Sequence, residues 1–258
     1  MKSLFKQSAL AATIAASATA AQAETFWTNT SLSLLSGSDY VNPYLEAEGS
    51  DSESDGTVLT FEHAGAYNWG KSFSFIDIIN SSDTSINANE TYLELGADFS
   101  LTGGKGFSGL VKDVYLVTQL ENANPSGLES KTNYLGGVGA RWNVPGFVFF
   151  DTNVYYRANE KKDDDAQLTV AWGLPFKIGA TSLSFDGFFD ATTGYDSDDD
   201  FGGQAIFHAQ PQLKLDLGNF WGQSNKYYVG VEVDYWKNKF GVDGADQTTV
   251  QAMAQINF

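Results

Sequence analysis

The final ten residues of the chain, Thr249-Val-Gln-Ala-Met-Ala-Gln-Ile-Asn-Phe258, alternate between apolar and polar side chains. Successive side chains of a β-strand point to opposite faces, so an extended conformation sorts this segment into two sets. One face carries Val250, Ala252, Ala254, Ile256 and Phe258, and the other carries Gln251, Met253, Gln255 and Asn257. A strand with one apolar face and an aromatic last residue is typical of the closing strand of a bacterial outer-membrane β-barrel, which has lipid outside and a wet lumen inside.

The first 23 residues have the three parts of a secretory signal peptide. A basic segment contains Lys2 and Lys6, an alanine-rich apolar run covers residues 9–18, and Ala21-Gln-Ala23 has the A-x-A form of a cleavage site. We therefore expect residues 1–23 to be a signal peptide and residues 24–258 to form one outer-membrane domain.

Composition narrows the class of protein further. No later segment provides the roughly 18 consecutive apolar residues of a transmembrane helix, so an exported chain would be periplasmic, secreted or a membrane barrel. The chain has no cysteine and therefore no disulfide framework. Its formal charge of −17 argues against binding of a nucleic-acid polymer by a basic surface.

Strand-like alternation recurs along the chain in segments of roughly ten residues. The predicted strands are 26–35, 57–66, 72–79, 90–101, 110–121, 131–143, 146–157, 166–174, 181–191, 203–217, 226–238 and 248–258. We predict an all-β fold, a transmembrane antiparallel β-barrel of about twelve strands. Pro211 is the main objection, because a proline inside a strand removes a hydrogen-bond donor and requires a bulge or a break. A break would give two shorter strands and change the parity.

Charge is segregated between alternate connections. The connections near 67–71, 102–109, 144–145, 175–180 and 218–225 contain no Asp or Glu. The other set, near 36–56, 80–89, 122–130, 158–165, 192–202 and 239–247, carries Asp39, Glu46, Glu48, Asp51, Glu53, Asp55, Asp83, Glu129, Glu160, Asp163 to Asp165, Asp196, Asp198 to Asp200, Asp243 and Asp246. A soluble β-sandwich also alternates but has no reason to segregate charge in this way. Long acidic external loops and short periplasmic turns would explain the difference.

Tryptophan positions agree with this orientation. Five of the six map to the side of the acid-free turns, where an aromatic girdle would meet the lipid interface: Trp27, Trp69, Trp142, Trp172 and Trp221. Trp236 and Phe240 are expected at the opposite rim.

The segment Thr60-Phe-Glu-His-Ala-Gly-Ala-Tyr-Asn-Trp-Gly-Lys-Ser-Phe-Ser-Phe-Ile-Asp77 resembles the Tsx-type nucleoside-specific outer-membrane channels, which include the OmpK proteins. Gly136-Gly-Val-Gly-Ala-Arg141, Tyr235-Trp-Lys-Asn-Lys-Phe-Gly241 and the terminal strand are similar to the same family. The resemblance implies a twelve-stranded channel for nucleosides. The acidic first loop and residues 196–200 do not match the family pattern, so the resemblance does not extend to the mouth or to a surface-receptor role.

A nucleoside offers a base with a π face and polar edges, and a sugar rich in hydroxyls. A selective lumen should therefore supply aromatic faces together with carboxylates, amides or guanidinium groups. Alternation places such side chains on one face of several strands. The candidate substrate-binding residues are Glu62, Phe73, Phe75, Asp77, Tyr92, Glu94, Asp151, Tyr155 and Arg157. The alternative is that these aromatic residues simply fill the barrel wall or the girdle.

Other charged and titratable residues have simpler explanations. Arg141 and Lys214 would face inward beside acids as structural ion pairs, because confined charges need partners. His63 and His208 are the only histidines, and neither a G-x-S-x-G elbow nor a spaced metal-ligand cluster accompanies them. We expect no enzymatic activity, no catalytic residue, no cofactor and no resident metal.

The predicted function is passive, selective diffusion of nucleosides through an outer-membrane channel. Outer-membrane lipids and lipopolysaccharide would be its other partners. Acid runs at 163–165 and 198–200 could hold divalent ions that bridge lipopolysaccharide, but they lack the D-x-D-x-D-G pattern of a calcium loop, and a solvated loop is the favoured interpretation. The main alternative is a surface-binding barrel, a phage or colicin receptor or a structural protein without solute selectivity, acting through loops 36–56 and 192–202. An outer-membrane hydrolase is a third alternative.

Overall fold

The structure, a computed structural model, describes residues 23–43, 45, 53–82, 89–126, 129–160, 162–195 and 203–258. Its strands are β1 (Thr25–Val41), β2 (Glu53–Tyr67), β3 (Gly70–Ser81), β4 (Asn89–Ser100), β5 (Val111–Pro125), β6 (Lys131–Trp142), β7 (Phe149–Ala158), β8 (Asp165–Ile178), β9 (Thr181–Thr192), β10 (Phe207–Ala209), β11 (Gln212–Asp216), β12 (Tyr227–Lys237) and β13 (Gln247–Asn257). Two short 3-10 helices cover Leu217–Trp221 and Lys239–Gly241. No helix in this part of the chain is long and apolar enough to cross a membrane.

Parts of two predictions fall outside the described residues. These are the signal peptide up to residue 22 and the loop acids Glu46, Glu48, Asp51, Asp83, Asp196 and Asp198 to Asp200.

The sheet closes on itself. Each strand pairs antiparallel with the next, except that β10 and β11 do not pair with each other and both pair with β9 and β12. The last strand, β13, pairs with both β12 and β1. The β1–β13 seam runs from the Ser31–Asn257 pair to the Gly37–Gln251 pair without a register shift. The prediction of an all-β, antiparallel barrel is therefore confirmed.

The short strands β10 and β11 are two halves of one barrel strand. His208 and Gln212 pair with Asp190 and Asp186 of β9, and the two pairs share a single register. Both halves also pair in one register with β12. The ladder is interrupted only around Pro211, which lacks an N–H, although its carbonyl still accepts from Val233 N at 3.1 Å. The barrel thus has twelve strand positions, as predicted, and the break does not change the parity.

The outward face of the barrel is apolar. Large apolar side chains at alternate positions, with 38 to 60 % of their surface exposed, point away from the interior: Leu34, Leu59, Phe61, Ile78, Leu116, Val138, Val154, Leu168, Leu213, Val231 and Val250. In β13, Val250 is exposed whereas Thr249, Gln251 and Met253 are buried in the interior. An apolar exterior around a polar interior is the arrangement of a barrel whose wall contacts lipid.

The two ends of the barrel differ in charge. The connections 68–69, 101–110, 143–148, 179–180 and 217–226 lie at one end, here the turn end, and contain no acidic residue. The described connections at the other end, the loop end, carry Glu129, Glu160, Asp163, Asp164, Asp243 and Asp246.

The aromatic residues at the two ends are also arranged differently. The five predicted girdle tryptophans lie at or toward the turn end. Trp236 lies near the loop end, but its ring faces the lumen and stacks on His208, with 3.6 Å between centroids.

Candidate functional site: the barrel lumen

All nine predicted site residues project into the lumen. Side chains paired on neighbouring strands share a face, and the register carries this face from β2 through to β8. The residues do not form a single site. They fall into an aromatic row with carboxylates on β2–β4, and three residues on β7 that are engaged with other side chains.

The aromatic row consists of Phe73, Phe75 and Tyr92. The ring centroids of Phe73 and Phe75 lie 5.7 Å apart, and those of Phe75 and Tyr92 lie 5.8 Å apart. Phe73 has 41 % of its surface exposed to the lumen. Because all three rings sit on the adjacent strands β3 and β4, the barrel wall itself fixes their spacing.

Three carboxylates accompany the aromatic row. Asp77 accepts a hydrogen bond from Thr60 Oγ1 at 2.5 Å. Glu94 accepts from the Tyr92 hydroxyl at 2.8 Å and from Gln119 Nε2 at 2.9 Å. Glu62 is paired with Phe75 across the β2–β3 ladder. Among the described residues, no lysine or arginine nitrogen lies within 4.0 Å of these three carboxylates. The row is therefore bordered by acceptors that no cation neutralises directly.

Asp151 belongs to an ionic bridge at the turn end, made by Lys71, Asp98, Arg141 and Asp151. Arg141 donates from Nε and Nη2 to the two oxygens of Asp151, at 2.8 and 2.7 Å. Lys71 Nζ lies 2.6 Å from Asp151 Oδ2 and 2.9 Å from Asp98 Oδ2. Both carboxylate oxygens of Asp151 are thus occupied by protein donors, and the predicted ion pairing of Arg141 is confirmed.

The other two candidates on β7 are buried. Tyr155 packs with Tyr115, Val117 and Leu135 in an apolar cluster inside the lumen, and its hydroxyl accepts from Asn153 Nδ2 at 2.9 Å. Arg157 makes a two-pronged contact with Asp165, at 2.8 and 2.7 Å, with both side chains buried. These contacts give both residues a structural role in filling the lumen.

Lys214 also has its expected partner. Its Nζ lies 2.9 Å from Asp186 Oδ2, and the two residues sit on the neighbouring strands β11 and β9. The ion pairing predicted for Lys214 is therefore confirmed.

Sequence reasoning missed a polar cluster near the loop end of the lumen. His208 Nε2 lies 3.0 Å from Asp234 Oδ1, and Asp234 also accepts from Gln247 Nε2 at 2.6 Å. The alternation in the predicted strands 203–217 and 226–238 already placed His208 and Asp234 on one face. The other histidine, His63, contacts Thr30 Oγ1 at 2.8 Å on the outward face. Because the barrel wall separates the two histidines, they do not form a common site.

Two lysines tie the loops together over the mouth at the loop end. Lys239 Nζ donates to the Val41 carbonyl at 3.0 Å and to Gln247 Oε1 at 2.6 Å. Lys162 Nζ, from the β7–β8 loop, donates to the Phe240 carbonyl at 3.3 Å. Burial lowers the pKa of Lys162 to about 8, and positively charged neighbours act in the same direction.

No curated protein sequence matches this chain. Among solved structures, it is similar to a KdgM porin in complex with disordered oligogalacturonate, at 12 % identity and a TM-score of 0.45, over 88 % of this chain and 99 % of that one. It is similar to the translocator domain of the autotransporter NalP from Neisseria meningitidis, at 11 % identity and a TM-score of 0.43, over 90 and 87 %. The beta domain of the Bordetella autotransporter BrkA matches at 12 % identity and a TM-score of 0.39, over 90 and 99 %.

One family model matches residues 47–254, and its description is "Domain of unknown function (DUF5020)". The predicted membership of the Tsx-type family is not supported by this match, and the description names no solute. Because the match covers most of the chain, the protein belongs to the DUF5020 family.

Proposed function

We propose that the protein is an outer-membrane channel through which nucleosides diffuse passively. The observation that carries this proposal is the aromatic row beside Glu62, Asp77 and Glu94, with the ring of Phe73 accessible from the lumen. The apolar outward face supports a membrane location. An outer membrane is the natural setting for a barrel of this type.

The chemistry of the row suits a nucleoside. A base can stack on the Phe73 ring, a contact worth roughly 1–3 kcal/mol per base in single-strand binding proteins. The neighbouring carboxylates accept hydrogen bonds from sugar hydroxyls and exocyclic amino groups. Each contact is weak, so a solute can enter and leave again, as conduction requires. No covalent step, cofactor or energy source is needed.

Charge favours nucleosides over nucleotides. The three acidic candidates on β2–β4, Glu62, Asp77 and Glu94, have no lysine or arginine nitrogen within 4.0 Å in the described part of the chain. A confined acidic wall repels a phosphate group and tolerates a neutral or cationic solute.

A second candidate function is supported by the mouth at the loop end. The Lys162–Phe240 and Lys239–Val41 contacts draw the loops together there, as in a barrel that binds partners at its surface rather than conducting solutes. Such a protein would be a phage or colicin receptor. Of the two loops that would then matter, residues 44, 46–52 and 196–202 lie outside the described part of the chain.

Conductance across a planar bilayer separates the two candidates. Adenosine, thymidine or cytidine should block the ion current through the purified protein in a concentration-dependent way. A current that none of the three changes would contradict nucleoside selectivity. Deleting part of the β1–β2 connection, within residues 42–52, should leave the block intact, whereas the receptor candidate predicts lost phage or colicin binding.

Replacement of Phe73 tests the aromatic row directly. Phe73→Ala should raise the half-blocking nucleoside concentration at least about fivefold, because one stacking face is lost. Asp77→Asn should weaken the block through the lost carboxylate. Phe61→Ala is the matched control, since Phe61 is similarly exposed, at 46 %, but on the outward face. Equal effects of Phe73→Ala and Phe61→Ala would exclude the row as the binding surface.

A further inference from the structure

The ionic bridge connects strands that are not neighbours. Lys71 lies at the start of β3 and Asp151 near the start of β7, with β4, β5 and β6 between them. Their side chains nevertheless meet, with Lys71 Nζ 2.6 Å from Asp151 Oδ2. At this level the lumen between β3 and β7 is therefore no wider than the two side chains together.

The side chains of the bridge are largely buried. The side chains of Lys71, Asp98, Arg141 and Asp151 are between 9 and 14 % exposed. Lys71 Nζ also lies 4.7 Å from the centroid of the Tyr115 ring. Tyr115 belongs to the buried apolar cluster with Val117, Leu135 and Tyr155. Bridge and cluster together close one side of the lumen.

The lumen is more open on the loop-end side of Lys71, beside Phe73. Phe73 is the next lumen-facing residue on β3, and 41 % of its surface is exposed. Since Lys71 extends toward β7, it leaves the Phe73 ring uncovered. A solute that touches Phe73 then meets Lys71 at the turn end.

We infer that the ionic bridge of Lys71, Asp98, Arg141 and Asp151 is the conductance-limiting constriction of the lumen, with Lys71 as its cross-lumen strut. This inference rests on the proposed channel function and adds the residue that sets the width of the path. The bridge contains two cations and two anions, so its own charges balance. Loss of Lys71 would widen the path and leave an excess carboxylate at its narrowest point.

Single-channel conductance of Lys71→Met in planar bilayers tests the strut. We expect conductance to rise at least about twofold, because a shorter, uncharged side chain no longer spans the lumen. Preference for K⁺ over Cl⁻, measured as the reversal potential in a KCl gradient, should also rise.

Lys214→Met is the matched control. Lys214 is a lumen lysine of similar side-chain exposure, 12 against 14 %, and it too is ion-paired. Its partner Asp186, however, lies on an adjacent strand, and its other contact, Gln255 Oε1 at 3.3 Å, lies only two strands away on β13. Lys214 therefore spans a shorter arc than Lys71, whose partner Asp151 lies four strands away. Both variants lose one positive charge and should shift the reversal potential alike, but only Lys71→Met should gain conductance.

The outcomes separate this inference from the proposed function. A conducting wild type with equal conductance in Lys71→Met overturns the constriction and leaves the channel standing. If the wild type does not conduct and Lys71→Met does, the proposed channel function is contradicted and the constriction at Lys71 is supported. If neither the wild type nor Lys71→Met conducts, both the proposed channel function and the constriction are contradicted. If heat-modifiable electrophoretic mobility shows that Lys71→Met does not fold, Lys71→Gln, which is also shorter and uncharged, is measured in the same way with the same expectations.

Discussion

Arg157 shows how burial changes the role of a single residue. Its position on the lumen face makes it a candidate ligand in the sequence, but its guanidinium is held by Asp165 and also donates to Gln167 Oε1 at 3.2 Å. Both members of the pair are less than a tenth exposed. A buried pair adds little net stability, yet breaking it is costly because one charge remains without a partner.

Arg157→Met should therefore lower the free energy of unfolding by about 3–5 kcal/mol, since Asp165 stays buried and unpaired. Urea unfolding of the protein in lipid vesicles measures this loss. Lys237→Met removes the exposed pair with Asp246 and should change stability far less. Wild-type stability combined with a lost nucleoside block would instead make Arg157 a solute ligand.

The barrel strand formed by β10 and β11 depends on a glycine in its neighbour. Pro211 lies opposite Gly187 of β9, in the register set by His208 and Gln212. A Cβ on Gly187 would lie 2.6 Å from the Gln210 carbonyl oxygen and 2.9 Å from Pro211 Cα. The glycine thus gives the proline-containing strand room to continue without a change of register.

Gly187→Ala should destabilise the barrel by about 1–3 kcal/mol, the usual effect of overpacking. The same vesicle unfolding assay reports it. Gly96→Ala is a suitable control, because the nearest atom to a Cβ there is at 3.4 Å, an ordinary contact. Similar losses in both variants would mean that any strand glycine is equally sensitive and that Pro211 has no special requirement.

Strands and their faces could be predicted from the sequence because alternation depends only on neighbours along one strand. The same locality explains why the interruption at Pro211 was expected. Ion pairs of Arg141 and Lys214 were predictable too, since their partners sit on adjacent strands. The Lys71–Asp151 contact was not predicted. This contact depends on the closure of the barrel and on the stagger between its strands, and no single segment of sequence determines either.

At the scale of the whole molecule, the loop end is held by buried lysines that lie outside the strands. Lys162 contacts the Phe240 carbonyl and lies 4.9 Å from the centroid of the Tyr195 ring. Desolvation, followed by the charges of Arg157 and Lys131, lowers the pKa of Lys162 to about 8. The pKa of Lys239 is likewise lowered by burial. The folded protein thus holds these protons less tightly than the unfolded chain does.

Stability should consequently rise with pH between about 8 and about 10.4, where unfolded Lys162 is protonated and the folded residue is not. The difference in unfolding free energy between wild type and Lys162→Met isolates this contribution, because Lys239 is retained in both. That difference should grow in favour of the wild type across the window. If the unfolding free energies of the wild type and Lys162→Met changed with pH in parallel, the lowered pKa of Lys162 would be contradicted.

The one-sided bridge from Lys71 to Asp151 has a mechanical consequence. At the turn end, a hollow cylinder that is braced from β3 to β7 is stiffer along that arc than along an arc without such a bridge. Thermal breathing of the cross-section at that end should then be smaller between β3 and β7 than in the other strands. Lateral pressure from the bilayer would flatten the barrel along a preferred direction rather than squeeze it uniformly.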